Sequence, residues 1–276
     1  MPHVTLTGLA GAQQSAIASA FSAAGWTVTG TSRTAQGAHR ADLETGDGLE
    51  RAFDGADVVV FTLPQDHTPG RTLRMARAIA KASRGVPRVI LNAASRIVPS
   101  DLGVFANMRH VQYALCDLPL VTLEPTIYMD NLLAAWSIPG ILSGTLAYPA
   151  SPEAAIAWMS HRTLADCTLA AATADVFGQS IRLGGAEALT GPQIAELLAA
   201  HLKRPVSYAT IPLPGFAAGL NQAFGAPAGD RIAELYAHLA DHPGTMRDGA
   251  KGVGALGVTP ESFAAFIARQ DWSPPG

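Results

Sequence analysis

The amino-acid sequence predicts an α/β chain, a doubly wound parallel sheet joined to a smaller C-terminal α+β lobe. Three observations carry that expectation. An apolar strand runs directly into a glycine turn and a helix at the N-terminus. Further apolar runs of strand length recur through the first half, and helical stretches with one apolar face separate them.

Val4-Thr5-Leu6-Thr7 reads as the first strand, Gly8-Leu9-Ala10-Gly11 as a tight turn, and residues 14–21 as the first helix. Free N–H groups and the positive end of a helix dipole meet at such a turn and can hold a pyrophosphate, so the expected ligand is a dinucleotide. Gly8 permits the reversal out of the strand, and Gly11 lets the backbone approach the phosphates without a Cβ in the way. Leu9, Ala12 and Gln13 complete this cradle. Gln14 stands where a third small residue normally lets the helix pack closely on the strand.

Gly25 ends the helix, and residues 26–32 alternate as a second strand that stops at Arg33. The end of that strand faces the adenosine ribose in a dinucleotide fold, where an acid selects a free 2′-hydroxyl and an arginine accommodates a 2′-phosphate. Arg33, with no acid beside it, points to NADP (NADPH) as cofactor. A helix then ends near Phe53. Residues 56–64 form an unbroken apolar run closing on Leu63-Pro64, the pattern of a strand buried on both faces. A helix is expected over 70–82, a strand over 88–95 ending in Asn92-Ala93-Ala94-Ser95, a helix over 107–115, and a strand over 118–125. Ligands sit at the carboxyl ends of such strands, which here are Gly8, Arg33, Leu63-Pro64 and the segment from Asn92 to Ser95.

Beyond a helix expected to start at Thr126, the chain changes character. Short strands over 156–159, 180–183 and 205–210 alternate with helices and proline-rich joints. Thr190-Gly191-Pro192-Gln193 reads as a capping box before a helix over 194–202, and Thr259-Pro260-Glu261 as the start of a last helix through Ala268. The division expected is a nucleotide-binding domain over 1–145 and a smaller substrate-binding lobe over 146–276, interleaved with the first.

The chain has 276 residues, 48% of them hydrophobic and 15% charged, with a formal charge of −3. That balance suits a compact fold and gives no electrostatic footprint for nucleic acid and no basic surface for a membrane. Small-molecule partners fit better, and a homodimer built on the second lobe is compatible with its apolar surface. The two cysteines, Cys116 and Cys167, lie far apart with no metal-ligand spacing, so no disulfide framework and no metal site is expected. With neither a basic and apolar leader nor a run of eighteen apolar residues, a cytoplasmic location is expected.

Taken together, these segments resemble the NmrA-like branch of the atypical short-chain dehydrogenase/reductases over nearly the whole chain. Thr7-Gly8-Leu9-Ala10-Gly11 is similar to that family's TGATG turn. Arg33 matches its NADP-associated arginine, and Asp42-Leu43 the pair bordering adenine. The run from Leu123 to Leu132, with Pro125, Tyr128 and Asn131, looks like the family's LRPxxFMENL segment. Asp166 with its helix, Leu183-Gly184-Gly185 and residues 190–196 match its C-terminal pattern. The resemblance implies a Rossmann domain binding NAD(P)H and a C-terminal domain closing a cleft over it. Members include quinone and carbonyl reductases, ether- and alkene-reducing enzymes, and regulators that bind the dinucleotide without turnover. The chain departs from the pattern at Gln14 and at Glu124, which stands where the family usually has arginine. It also lacks the tyrosine–lysine pair of typical short-chain dehydrogenases: Tyr113 is followed four residues later by Asp117, and the serine position falls on Ala94, with Ser95 next.

Proton donors or acceptors for a reduction are sought in Tyr113, Tyr128 and His67, each with packing or solvation as the alternative. Ser95, His110, Asn131 and Trp136 are candidates for substrate contact. Trp158 and Tyr148 join Trp136 as candidate pocket wall, or as ordinary core. Three functions remain open from the residues. The first is an NADPH-dependent reductase of a small apolar carbonyl, quinone or activated alkene. The second is a dinucleotide-sensing regulator without turnover. The third is a non-redox enzyme of cyclisation, elimination or rearrangement in the old cofactor cleft, which a lack of measurable dinucleotide binding, with Gln14 filling the phosphate site, would mark.

Overall fold

The structure, a computed structural model, describes residues 1–33, 38–64, 69–98 and 103–273, with backbone alone for residues 69 and 103–106. The first half alternates strand and helix: β1 (His3–Thr7), α1 (Ala12–Ala23), β2 (Thr27–Ser32), β3 (His39–Arg40), α2 (Leu49–Phe53), β4 (Val58–Phe61), α3 (Pro69–Ala82), β5 (Arg88–Asn92), α4 (Gly103–Ala114) and β6 (Leu120–Glu124). A 3-10 turn (Met129–Leu133) leads into α5 (Ile138–Leu142), β7 (Thr145–Tyr148), α6 (His161–Ala171), β8 (Ser180–Arg182), α7 (Gly191–Leu202) and β9 (Ser207–Thr210). The chain ends with α8 (Leu213–Phe224), α9 (Ala228–Asp241), α10 (Ala250–Ala255) and α11 (Phe263–Arg269).

Seven strands form one parallel sheet in the order β3-β2-β1-β4-β5-β6-β8. The chain leaves β1 toward one edge and returns to the other through β4, so the strand order reverses between β1 and β4. A crevice opens at their carboxyl ends. The β4 residues show why the run is apolar throughout. Val58 and Val60 join the core under α1 and α6, while Val59 and Phe61 join the core under α2, α3 and α4. Each such side chain removed from water contributes roughly 1.5–3 kcal/mol, which a strand with one wet face could draw from only half its residues.

A third core gathers the C-terminal elements around the parallel pair β7 and β9. The segment over 180–183 belongs elsewhere: β8 pairs with β6, and α6 packs against α1, so residues 161–182 return to the first sheet after the excursion through β7. The capping box is present, with Thr190 Oγ1 accepting from the Gln193 N–H and Gln193 Oε1 accepting from the Thr190 N–H.

Three expectations about local structure are corrected. Residues 156–159 form no strand; they make two single bridges, Ile156 with Leu189 and Tyr128 with Met159, because the chain here crosses between two cores and meets a different neighbour on each side. No α-helix starts at Thr126. Residues 126–128 stay extended and buried, held by the hydroxyl of Thr126 on the Ala157 carbonyl and by the Met159 N–H on the Ile127 carbonyl. The last helix starts later, at Phe263, because Ser262 Oγ takes the N-cap by accepting from the Ala265 N–H at 3.2 Å.

Candidate functional site

The turn after β1 has the shape a diphosphate needs. Gly8 sits at φ +67°, in the left-handed region where a side chain would strain the backbone, and its N–H donates to the Thr31 carbonyl. Gly11 caps α1, and a Cβ placed there would meet the Gly8 carbonyl oxygen at 3.4 Å. The cradle surface is open: Gly8, Ala10, Gly11 and Ala12 are exposed, and Leu9 and Gln13 half-buried. Gln14 does not fill it. Its side chain is buried between α1 and the end of β4, where Nε2 donates to Thr62 Oγ1 at 3.1 Å. Gln14 Oε1 and Thr7 Oγ1 are left buried with no partner, so the closer contact a glycine allows is replaced by a polar strut that is half satisfied. The residues therefore fit a dinucleotide diphosphate.

Around this cradle the other expected positions fall as follows. Arg33 is exposed at the end of β2. Asp42 turns its carboxylate on its own loop, accepting from the N–H groups of Glu44 at 2.7 Å and Thr45 at 3.1 Å, with half-buried Leu43 beside it. Leu63 is buried and Pro64 exposed at the end of β4, and Pro125 is buried after β6.

At the ends of β5 and β6 a polar network forms on Gln13. Asn92 Oδ1 accepts from the Ala94 N–H at 3.0 Å, and since a backbone N–H can only donate, this fixes the Asn92 amide. Its Nδ2 must then face Gln13, and donates to Gln13 Oε1 at 2.6 Å. The turn is tight enough to hold Ala94 at φ +58°. The Tyr128 hydroxyl donates to Gln13 Oε1 at 3.4 Å or Asn92 Oδ1 at 3.5 Å, both long, so its proton is only weakly engaged. Burial pushes this phenol far above its ordinary value, with the Asn92 contact opposing and the Asp130 charge adding to the rise. No phenolate forms there near neutrality; Tyr128 is a donor. Its ring lies edge-on to His161 at 4.8 Å. Asp130 accepts from the His161 N–H at 2.8 Å, tying the 3-10 turn to α6, and burial lowers the imidazole's proton affinity.

Next to this network lies a cavity of about 280 Å³. Gln13, Ala94, Ser95, Tyr128 and Asn131 line its polar side, and Ser95 Oγ is buried there without a partner. Phe216, Leu220 and Phe224 of α8 and Ile232, Leu235 and Tyr236 of α9 form the apolar wall, with Tyr148 from β7. Trp136 and Phe224 meet edge to face at 5.5 Å on its rim, both more than half exposed.

The structure thus brings Gln13, Ser95, Tyr128, Asn131 and Trp136 together, with Asn92 bonded to Gln13. It does not bring in Tyr113 or His110. Both are exposed on α4, Tyr113 at 81%, and neither lines the cavity, because the apolar face of α4 that Val111 and Leu115 present to the sheet turns them outward. His67 lies outside the described residues. Trp158 is buried core, packed on Tyr148 and Phe263, and not wall. The α8 and α9 residues escaped sequence reading, although Phe216, Leu220 and Phe224 recur every four residues; that spacing marks a helix face but not what the face encloses.

The comparisons with known proteins agree with this architecture. The model of the NmrA-like family matches residues 2–253. No curated protein sequence matches significantly. Among solved structures, a nucleoside-diphosphate-sugar epimerase from Staphylococcus aureus superimposes with a TM-score of 0.77 at 19% identity, covering 97% of this chain and 99% of that one. The NADPH-dependent quinone oxidoreductase of Escherichia coli, complexed with NADPH, gives 0.76 at 20% identity, with 96% and 98% covered. NmrA, a negative transcriptional regulator in complex with NAD, gives 0.75 at 14% identity, with 98% of each chain covered. At these identities the likeness shows the shared fold and leaves the chemistry open. With the glycine cradle, the sheet order and a family match over nearly its whole length, the chain belongs to the NmrA-like family of NAD(P)-binding Rossmann-fold proteins.

Proposed function

We propose that this protein is an NADPH-dependent reductase of a small apolar carbonyl, quinone or activated alkene. The observation that carries the reading is the pairing of an open diphosphate cradle with a largely apolar cavity at the same strand ends, joined by a neutral, weakly engaged Tyr128 hydroxyl. Gly8, Leu9, Gly11, Ala12 and Gln13 would hold the diphosphate, Arg33 the 2′-phosphate, and Asp42, Leu43, Leu63, Pro64, Asn92 and Pro125 the rest of the dinucleotide. Bound there, a reduced nicotinamide supplies hydride. The chain's own part is to orient the substrate and polarise it. Tyr128 donates a hydrogen bond to the substrate oxygen, and Ser95, whose buried Oγ has no other partner, offers a second. Because the raised Tyr128 pKa opposes release of its proton, the oxygen's proton comes finally from water entering past Trp136. Residues 146–276, apart from α6, β8 and α10, which pack on the first sheet, act as the substrate-covering lobe.

Steady NADPH oxidation with a panel of quinones, enones and aryl ketones tests the reading, together with calorimetric titration by NADP and NAD. Arg33→Ala is expected to weaken NADP about tenfold more than NAD, the worth of one charge-assisted contact. Equal losses would remove the assignment of Arg33.

A regulator without turnover is the second reading. What favours it is that, among the described residues, no cation stands against Tyr128; its ring neighbour His161 is held toward the neutral form. Tight dinucleotide binding with no oxidation across the panel would select it.

A further inference from the structure

The cavity carries a second polar feature that the proposed reduction does not use. Tyr148, from β7, and Tyr236, from α9, place their hydroxyl oxygens 2.6 Å apart, both buried and both lining the cavity. Asn131 Nδ2 donates to Tyr148 Oη at 3.4 Å. Counting protons leaves one over. Two phenols hold two O–H groups, and one is consumed between them. With the Asn131 amide turned so that Nδ2 faces Tyr148, the other O–H has no acceptor among the described hydrogen bonds, whichever way that bond runs. In a wall otherwise made of Phe216, Leu220, Ile232 and Leu235, an undirected donor costs stability unless a ligand atom takes it. Burial holds both phenols neutral, Tyr148 pushed up to about 12 and Tyr236 well above its ordinary value, so the pair stays a donor over the whole physiological range.

We propose that the Tyr148–Tyr236 pair, steadied by Asn131, is a specificity site that hydrogen-bonds a second acceptor oxygen of the substrate, besides the group held at Tyr128. The ligand class is a flat, ring-bearing molecule with two acceptor oxygens and no formal charge. A carboxylate would need a counter-charge, and among the described residues that line the cavity none is charged. This rests on the reductase reading only in taking the cavity as the substrate site.

Two probes of nearly equal shape isolate the second oxygen: para-diacetylbenzene, with two carbonyls, and para-ethylacetophenone, with one. Each is titrated calorimetrically into the full chain without dinucleotide, and NADPH is titrated separately. The wild type is expected to prefer the diketone about five- to tenfold, the worth of one buried hydrogen bond. The double variant Tyr148→Phe/Tyr236→Phe keeps both rings and is expected to bind the two probes alike. Equal binding by the wild type overturns the proposal, and so does a preference that survives in the folded double variant. The wild-type comparison needs no variant and decides by itself if the double variant fails to fold. Loss of NADPH binding with the preference intact would sink the reductase reading while leaving this site standing.

Discussion

Alkaline pH is the perturbation that most directly probes the site's chemistry. Tyr128, Tyr148 and Tyr236 are all buried, and desolvation raises each above the unfolded value near 10. A group whose folded pKa is raised contributes stability that is complete below its unfolded pKa and lost as pH climbs toward its folded one. Above about pH 10 the unfolded chain releases these protons while the folded chain keeps them, so each phenol removes about 1.4 kcal/mol per pH unit. Because the unfolded phenols are only half ionised at pH 10, three acting together take away about 3 kcal/mol between pH 10 and 11, against a total of about 5–15 kcal/mol for a typical domain. Cys167, pushed up to about 12 by burial, adds loss of the same sign, beginning about a unit lower. Urea unfolding at half-unit steps from pH 8 to 11 measures the slope, and ultraviolet titration of tyrosinate in the folded protein reads the phenols directly. A flat stability profile through pH 10.5, or phenols ionising near pH 10 before unfolding, would refute both the burial argument and the role of these residues as neutral donors.

Other outcomes follow from single contacts. Tyr128→Phe is expected to cost less than about 1 kcal/mol of stability, because its hydrogen bonds are 3.4 and 3.5 Å long, yet to lower kcat about 100-fold on a carbonyl substrate at unchanged NADPH affinity; thermal melts and steady-state rates separate the two. Arg96 is the largest fully buried side chain, bonded to the carbonyls of Leu183 and Asp248 and paired at 3.2 Å with the largely exposed Asp248 carboxylate. Arg96→Met strips those acceptors and leaves buried Glu124 without its nearby counter-charge, which should cost about 3 kcal/mol by chemical denaturation. Thr190→Ala opens the capping box of α7 and should cost about 1 kcal/mol, read by the same denaturation.

Arg96 also bears on one departure from the family pattern. Glu124, the last residue of β6, stands where the family usually has arginine, and a buried arginine comes from the segment after β5, while Glu124 accepts from the Ile97 N–H at 3.2 Å. Nothing local in either segment announces the nearness of Arg96 and Glu124, since they come together through the pairing of β5 with β6.

What this sequence determined alone were the features governed by near neighbours along the chain. They are the apolar run of β4, the Gly8 turn against α1, the capping box at Thr190, and the carboxyl ends of the first strands. Each is set by side-chain period or by the backbone freedom of one residue, interactions spanning a few positions. Tertiary structure alone decided which face Tyr113 and His110 take, that Gln14 packs onto Thr62, and that Tyr148, Tyr236 and Tyr128 converge on one cavity from β7, α9 and the extended segment before the 3-10 turn. Tyr148 and Tyr236 stand 88 residues apart in the chain, and their contact depends on how two cores pack against each other, a sum over many weak burials that no short window of sequence contains.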